Sequence, residues 1–475
     1  MNRAVVATIT GFVLLAASCG RHDHSDKQIF RYNESAGIAT LDPAFAKDQS
    51  LIWPCRQLYN GLVELDSNLE VQPSVAKGWT VSDDGLTYRF TLRDDVLFHN
   101  GRRVVADDFV YSFGRVVDPA VASPGAWIFS DVEDFSSVDD TTFVVRLKSP
   151  FSPFLSLLGM PYCSVVPREE VERWGKDFRG HPCGTGPFRF QYWKEGVKLV
   201  LRKNEHYFER DGEGTPLPYL DAVAVTFIVD RQTVFLEFVK GNLDFMNSLD
   251  ASYKDEVLEQ DGSLKAKYAD RIDMVGTPFL NTEFLGFNME DNGPLSDRRL
   301  RQAISYGFDR RKMMRYLRNN IGEPGVYGFV PVGLPGCSEE PVYEYNPERA
   351  RRLLAEAGYP DGQGLPPLKL STTSNYLDLC KYLQQQLGLL GIEVKVDVNP
   401  PAALREQKAQ GQMVWFRGSW VADYPDAENY LSTFYSKNCA PAGPNYTRFS
   451  NSGFDRLYDA SRRETDRSEE RRVGK

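Results

Sequence analysis

One run of the sequence, from Gln72 to Pro119, specifies a particular order of turn, strand and helix. Apolar residues alternate with polar ones in its first half, at Leu86, Tyr88, Phe90 and Leu92. A period of two is expected of a strand with one buried face. Asp83, Asp84 and Gly85 stand just before this strand, and such residues favour a tight turn. The run therefore predicts a turn that leads into a half-buried strand.

The second half of the run predicts another turn and then a helix. Asn100 and Gly101 mark the turn. Apolar residues then recur at helical spacing, at Phe109, Phe113 and Val116. Asp107 is the predicted N-cap of this helix, and Pro119 is its predicted stop. The whole unit is therefore a hairpin followed by a helix.

Strands and helices alternate through the rest of the chain. Gly184, Thr185 and Gly186 predict a tight turn before the next strand. A helix from Gln232 to Lys240 leads into a short apolar stretch, which is a βαβ-like order. Such alternation indicates an α/β protein with a mixed or mainly parallel sheet.

Three further helices are predicted in the second half of the chain. Ser296 is the predicted cap of a helix that continues to Met314. Asn346 and Pro347 open a second helix, which Gly358 ends, because Pro is favoured just inside a helix and Gly just past it. The third is amphipathic, spans 376–390 and precedes a strand at 392–398.

Three other segments accompany the first run: CGTGPFRFQYWKEGVKLVLRKNEHYF at 183–208, LSDRRLRQAISYGFDRRKMM at 295–314 and GSWVADYPDAENYLSTFYS at 418–436. Together the four segments resemble the bacterial extracellular solute-binding proteins of family 5, the oligopeptide, dipeptide and nickel class. A W..S.DG..Y.F.LR..V.FH.G....A.D..YS..R pattern recurs in that family. The resemblance implies an α/β fold, a two-lobed periplasmic binding protein of type II in the peptide-binding cluster.

The same resemblance implies a division of the chain into lobes. Lobe 1 is expected at 28–55 and 181–275, with an extra domain inserted at 56–180. Lobe 2 is expected at 276–467, without the family's C-terminal return to lobe 1. Residues 468–475 are charged and lack a pattern, so we expect them to be a non-native tail.

The first 19 residues resemble a lipoprotein signal peptide. Arg3 precedes an apolar stretch that ends at Ala17, and small residues stand directly before Cys19. An ordinary secretory signal shares the charged start and the apolar core, so Cys19 is the distinguishing residue. A membrane-spanning anchor is disfavoured because a span needs roughly 20 apolar residues. We expect 1–19 to be a signal peptide with a lipidated Cys19, and 20–27 to be a tether.

The composition excludes several classes of protein. A chain of 475 residues with 42% hydrophobic residues is globular and long enough for two or more domains. Its formal net charge of −9 disfavours binding to nucleic acid or to anionic lipid headgroups.

No catalytic or metal-binding motif is found in the sequence. It has no GxSxG elbow, no HExxH and no phosphate-binding loop. Its five histidines are scattered and its cysteines form no CxxC pair, so we expect no metal, no cofactor and no enzymatic activity. Cys163 with Cys183 is a candidate disulfide, and the alternative is that both are small buried hydrophobic residues.

An acidic residue stands among aromatic residues in the segment from Trp415 to Asp426. Aromatic walls exclude water and strengthen an ion pair between a carboxylate and a ligand ammonium group. By resemblance, the Asp of the family's W..D pattern, which pairs with the α-amino group of a peptide, falls on Asp423, and the Trp falls on Trp420. The alternative for Asp423 is an ordinary turn or cap residue.

Arg417 is a weaker candidate for the opposite end of a peptide. Its guanidinium could bind a carboxylate through two hydrogen bonds, and it would point in the same direction as Asp423 if the segment between them were extended. A surface ion pair is the alternative. Other residues could line the cleft, although core packing is their commoner fate: Tyr32, Trp53, Trp127, Phe287 and Asn288.

These features predict the substrate-binding component of an ABC importer. Its expected partners are short peptides, the permease and ATPase subunits, and the membrane through Cys19, with no nucleic acid, and we expect a monomer. The expected location is the periplasm or the outer face of the cell membrane. A nickel chelate, haem, a sugar or an opine is an alternative ligand, a sensory receptor is an alternative role, and a hydrolase is disfavoured because no nucleophile and base pair is recognisable.

Overall fold

The computed structural model describes residues 27–247, 249, 253–277 and 279–464. The predicted signal peptide, its Cys19 and the predicted tail at 468–475 lie outside these residues, as does the predicted tether except for Lys27. In the described ranges, no helix combines the length and the apolar character that a membrane span needs.

The described chain up to residue 247 forms ten strands and five helices. In chain order these are β1 (Ile29–Asn33), α1 (Gln49–Leu58), β2 (Val63–Leu65), β3 (Val71–Pro73), β4 (Ala76–Val81), β5 (Thr87–Leu92), α2 (Ala106–Val117), β6 (Val132–Asp139), β7 (Thr142–Leu147), α3 (Phe154–Leu158), α4 (Arg168–Trp174), β8 (Phe188–Lys194), β9 (Lys198–Lys203), β10 (Ala222–Thr226) and α5 (Arg231–Val239).

The rest of the described chain forms four strands and nine helices. These are α6 (Lys254–Val257), α7 (Ala266–Ala269), β11 (Asn281–Phe287), α8 (Arg298–Tyr306), α9 (Arg310–Arg318), α10 (Pro347–Glu356), β12 (Leu368–Thr372), α11 (Leu377–Gly388), β13 (Val394–Val398), α12 (Pro401–Ala409), β14 (Trp415–Val421), α13 (Ala427–Leu431) and α14 (Ser452–Arg463).

The predicted hairpin and helix are present and share one core. Strands pair antiparallel in the order β4-β5-β7-β6, and Phe90 of β5 faces Phe143 of β7. The helix α2 places Phe109 and Phe113 against this sheet, and both side chains are fully buried. The rings of Phe113 and Phe143 meet edge to face with their centroids 5.4 Å apart. The alternation in β5 therefore gives the strand one buried face, as predicted, and the structure shows that α2 covers this face.

The predicted N-cap of α2 was wrong, because the cap position is Val105, two residues before Asp107. The helix begins at Ala106, so Asp107 lies in its first turn and is not the cap. Asp108 instead accepts a hydrogen bond from the backbone N–H of Val105 at 2.9 Å and forms an ion pair with Arg102. A carboxylate three residues inside the helix can reach back to satisfy a free N–H group, and this alternative was not considered in the sequence prediction.

A second sheet joins segments that are far apart in sequence. Its order is β1-β10-β9-β8, and β1 pairs parallel with β10, Ile29 opposite Ala222. The predicted helix after β10 is α5, and the apolar stretch beyond it returns to the sheet, where Phe245 forms a parallel bridge with Tyr32. The βαβ-like order is therefore confirmed.

Gly184 and Gly186 are needed for a close approach of two chain segments. A Cβ atom on either glycine would collide with the backbone of Leu58 at the end of α1. The imidazole of His99 holds the same loop: its Nδ1 accepts from Gly184 N–H at 3.3 Å, and its Nε2 lies 3.1 Å from the carbonyl of Gly186. This pattern requires the neutral ring with its proton on Nε2.

The third sheet lies in the second half of the chain and is mixed, as predicted. Its order is β11-β14-β12-β13. β12 runs parallel to both of its neighbours, whereas β11 runs antiparallel to β14, with Asn281 opposite Val421 and Phe287 opposite Trp415. The carboxyl ends of β12, β13 and β14 therefore meet at one edge of the sheet.

The helices around this sheet confirm one predicted boundary and correct another. Asn346 caps α10 and Gly358 follows it at a φ of +93°, as predicted. The predicted helix from Ser296 to Met314 is two helices, because Asp297 caps α8 and Asp309 caps α9. Two aspartates that can each accept a backbone N–H start two separate helices where spacing alone suggested one.

Two main apolar clusters fill the protein. The first core contains buried residues from Tyr32 to Phe227 together with Tyr424, and the second core contains residues from Leu295 to Trp415. The β4–β7 sheet lies within the segment 56–180 and the third sheet within 276–467. The lobe boundaries themselves stay a prediction.

The candidate disulfide between Cys163 and Cys183 was wrong. Both are free thiols, as are the other four cysteines of the described chain. Cys163 is fully buried, and burial raises the pKa of its thiol well above the ordinary value. Cys163 and Cys183 therefore act as small buried apolar residues.

We expect Phe113→Ala to lower the free energy of unfolding by about 3–5 kcal/mol, because it removes a fully buried ring from the first core. Urea unfolding followed by circular dichroism measures this change. Val138→Ala on β6 is the control, since Val138 is 59% exposed and should change stability by less than about 0.5 kcal/mol. Equal effects of the two substitutions would contradict the proposed packing.

His99 should make the protein less stable in acid. Burial lowers the pKa of His99 to about 4, whereas the unfolded chain keeps a value of about 6.5. Between these values the unfolded state binds more protons, so the contribution is complete above pH 6.5 and is lost as pH falls towards 4. Urea titrations at pH 7 and pH 4.5 should show that His99→Gln removes about 2 kcal/mol of this pH dependence. His206→Gln, at an exposed histidine, should leave it unchanged.

Candidate ligand-binding site

The candidate site lies where β14 leaves the third sheet. β14 ends at Val421, and Asp423 follows two residues later at the edge formed by the carboxyl ends of the parallel strands. The loop after β12, which contains Tyr376, lies at the same edge. In open α/β sheets, ligands bind outside the carboxyl ends of strands. The fold therefore puts the predicted anchor at the edge of the sheet where a ligand is expected.

Asn429 joins Trp420 and Asp423. Its Oδ1 accepts the indole N–H of Trp420 at 2.8 Å and the backbone N–H of Asp423 at 3.2 Å. Its Nδ2 donates to Asp423 Oδ2 at 3.4 Å. Asn429 is buried on the short helix α13, which Asp426 caps. One amide thus fixes the position of the aromatic residue relative to the carboxylate.

The Asp423 carboxylate faces solvent in surroundings rich in protein. The residue is exposed, yet surrounding protein raises the pKa of its carboxyl group, and the hydrogen bond from Asn429 opposes this effect. Partial desolvation with solvent access is typical of a side chain that lines a cleft. Among the described residues, no Lys, Arg or His lies within ion-pair distance of it. The carboxylate is thus available to a cationic group of a ligand.

Tyr162 is a residue of the first core that lies near Asp423. It is buried in the first core, and the pKa of its hydroxyl rises to about 12, chiefly through burial and secondarily through the nearby carboxylates of Asp423 and Asp48. Tyr424, next to Asp423, also packs in the first core, with its ring 6.3 Å from that of Trp127. Asp423 therefore lies where the third sheet meets the first core.

Arg417 already has a partner within the protein. It forms an ion pair with Glu283 of β11, and its guanidinium lies 3.2 Å from the ring centre of Tyr376. Burial lowers the pKa of Arg417 to about 10, so it stays cationic at neutral pH. Alternation along β14 directs Arg417 and Trp420 to opposite faces.

The chain is not extended as far as Asp423. It leaves the sheet after Val421 and bends at Asp423. The condition for Arg417 and Asp423 to point in the same direction is therefore not met. The structure joins Trp420 with Asp423 and leaves Arg417 in a separate set of contacts.

Of the other cleft candidates, most are structural. Tyr32 is buried in the first core, where Trp53 packs against it, and Phe287 stacks on Trp415 at 5.9 Å. Asn288 follows β11, which is antiparallel to β14, so it lies at the other edge of the sheet, roughly 20 Å from Asp423. Trp127 is 43% exposed beside Tyr424 and remains a candidate.

Sequence reasoning missed Asn429, Tyr162 and Glu283. One signal for Asn429 was available: Asp426 is a good N-cap, and a helix that starts there turns Asn429 back towards Asp423. No local signal exists for Tyr162 or Glu283, because both reach the region through tertiary contacts. In the part of the chain that the structure describes, no group of three or more His, Cys, Asp or Glu residues is arranged to hold a metal ion.

Residues 70–441 match the family described as bacterial extracellular solute-binding proteins, family 5 Middle. The chain belongs to this family. Family 5 proteins are the solute-binding components of ABC importers. The relatives that this chain matches are substrate-binding proteins, not enzymes.

Individual relatives agree with family 5 membership. The glutathione-binding protein GsiB of Salmonella paratyphi A is 28% identical over 447 residues, which cover 93% of this chain and 84% of that protein. The unliganded open form of the periplasmic murein tripeptide-binding protein MppA is 27% identical, with a TM-score of 0.77 and coverage of 95% and 88%. NikZ of Campylobacter jejuni, solved with Ni(L-His), shares the fold at 21% identity and a TM-score of 0.72, with coverage of 94% and 89%. The predicted α/β, type II periplasmic binding protein fold is thereby confirmed.

We expect Asn429→Ala to reduce stability and to loosen the candidate site. The substitution leaves the indole N–H of Trp420 and the backbone N–H of Asp423 without their acceptor, which costs about 1–3 kcal/mol where these groups are shielded from water. Urea unfolding measures the loss, and the emission maximum of tryptophan reports the altered surroundings of Trp420. Asn68→Ala, at an exposed asparagine, is the control. An unchanged unfolding curve for Asn429→Ala would contradict the role assigned to this amide.

Proposed function

We propose that this protein binds short peptides that have a free N-terminal amine and delivers them to a membrane permease driven by separate ATPase subunits. The observation that carries the proposal is the Asp423 carboxylate, which Asn429 and Trp420 hold at the carboxyl edge of the sheet with no cationic partner among the described residues. A peptide ammonium group supplies the missing charge and up to three hydrogen-bond donors.

The relatives support a peptide ligand. GsiB is named for glutathione, itself a tripeptide, and MppA for murein tripeptide. Trp420, which shares Asn429 with the carboxylate, would provide an apolar wall that strengthens the ion pair by excluding water. Arg417 is the candidate for the peptide carboxylate, and it would have to share or exchange Glu283 to bind one. Its role is therefore secondary to that of Asp423.

We further propose the arrangement of the whole protein. Lobe 1 at 28–55 and 181–275 and lobe 2 from 276 onwards would close around the ligand by hinge motion. Cys19 would carry the lipid that holds the monomeric protein at the outer face of the membrane, which the small residues directly before it support. A short polar tether would then separate the lipid from the first strand.

Isothermal titration calorimetry with trialanine, glutathione and N-acetyltrialanine tests the proposal. Acetylation removes the ammonium charge, so it should weaken binding of trialanine by about ten- to a hundredfold, the value of one charged hydrogen bond of about 1.5–3 kcal/mol. Equal affinity for the free and acetylated peptides would remove the anchor. Failure of both free peptides to bind would contradict the peptide assignment.

Asp423→Asn should lower affinity for trialanine by a similar factor and should not affect N-acetyltrialanine. Asp83→Asn, at an exposed carboxylate in the turn before β5, is the matched control and should change neither affinity. If both substitutions weakened trialanine equally, the effect would be one of net charge and not of an anchor.

The pH dependence of binding should have two limbs. Affinity falls in acid as Asp423 is protonated, and this begins above the ordinary range of an Asp because surrounding protein raises its pKa. Affinity falls again above about pH 8, where the peptide amine loses its proton. Calorimetry from pH 4 to pH 9 should show both limbs, and Asp423→Asn should abolish the acidic one. An acidic limb that persists in Asp423→Asn would assign it to another group.

A further inference from the structure

The helix that holds Asn429 is itself fixed by a buried carboxylate. Glu428, the residue before Asn429 on α13, is 7% exposed. It accepts hydrogen bonds from the hydroxyl groups of Tyr424 and Tyr458, one on each of its carboxylate oxygens. Tyr424 follows Asp423 directly, and Tyr458 lies on α14. Glu428 therefore connects the loop of the candidate site to the last described helix.

Arg462 continues these contacts to the segments beside the β6–β7 hairpin. Its Nε lies 3.4 Å from Glu428 Oε1, and one of its terminal nitrogens lies 2.7 Å from Asp131 Oδ2. Its guanidinium also covers the ring of Phe151 at 4.6 Å, and its carbonyl accepts the backbone N–H of Ser152 at 3.1 Å. Asp131 and Ser152 flank the β6–β7 hairpin of the first core region. A continuous set of polar contacts thus runs from the hairpin to α13.

These contacts fix the two sides of Asp423 to different parts of the molecule. Before Asp423, Val421 is paired with Asn281 in the third sheet. After it, Tyr424 packs in the first core and bonds to Glu428, which Arg462 ties to Asp131. The position of the Asp423 carboxylate therefore depends on how the sheet and the hairpin are oriented relative to one another.

We propose that Glu428 is a positioning residue of the amine site. It does not touch the ligand, and through Arg462 and Asp131 it fixes the position of Asp423 relative to the first core. The inference rests on the proposed role of Asp423. Charged groups that share contacts in this way are energetically coupled, so removal of one group weakens the contacts that the other groups make.

The test compares free and N-acetylated trialanine. Glu428→Gln keeps the size of the side chain but removes the charge that holds Arg462. It should lower affinity for free trialanine about tenfold and leave that for N-acetyltrialanine unchanged, as a coupling of the usual size implies. A purely structural defect would weaken both peptides alike. The ratio of the two affinities therefore separates positioning from general destabilisation.

Two further substitutions make the test specific. Asp131 lies away from α13, and Asp131→Asn should lower the ratio of the affinities for free and N-acetylated trialanine about threefold. The proposal can therefore be tested even if Glu428→Gln folds poorly. Glu133→Gln breaks the exposed ion pair of Glu133 with Arg146, 2.9 Å apart on the same hairpin, and should leave the ratio unchanged. Hydrogen exchange should show faster exchange of residues 422–430 in Glu428→Gln than in Glu133→Gln.

The outcomes separate this inference from the proposed function. If Asp423→Asn abolishes the preference for free peptide while Glu428→Gln and Asp131→Asn preserve it, the positioning role is overturned and the peptide assignment stands. If Asp423→Asn also preserves the preference for free peptide, both the positioning role of Glu428 and the proposed role of Asp423 are contradicted. If Glu428→Gln lowers the preference and has no additional effect in the Asp423→Asn background, the positioning role is supported.

Discussion

The candidate site depends on two residues, Val421 and Tyr424, that are three positions apart in the chain but pack in two different parts of the protein. Val421 is held by backbone pairing in the third sheet, and Tyr424 is held by burial in the first core. Asp423 lies between these two attachments. It is therefore positioned by the relative orientation of two large cores, neither of which it belongs to.

The polar contacts around Asp423 follow from that position. An isolated carboxylate beside protein surface is partly desolvated, which raises its pKa and favours a cationic partner. Asn429 fixes the direction of the carboxylate through one amide, and the same amide holds the indole of Trp420. Arg417 illustrates the contrary case. Its charge is matched by Glu283 and its plane is covered by Tyr376, so it is well packed but less available to a ligand.

Much of the fold could be predicted from local patterns. The period of two in β5 and the helical spacing of Phe109 and Phe113 identified a sheet covered by a helix, because burial of one face requires that spacing. Errors arose where several local solutions exist. An aspartate can cap a helix from outside or reach back from its first turn, so Asp107 was chosen in place of Asp108. Gly184 and Gly186 were predicted as turn residues. The structure shows another requirement for glycine, because a Cβ atom at either position would collide with the backbone of Leu58, which is distant in sequence.

The sequence by itself determined the family, the alternation of helices and strands, and the segment that contains Trp420 and Asp423. These depend on periodicity and on motifs whose residues are neighbours in the chain. Only the tertiary structure decided that Asn429 joins those two residues, that Arg417 is paired with Glu283, and that Tyr162 lies near Asp423. Such contacts link residues up to hundreds of positions apart, since they arise when separately specified elements pack, and no local pattern encodes which surfaces will meet.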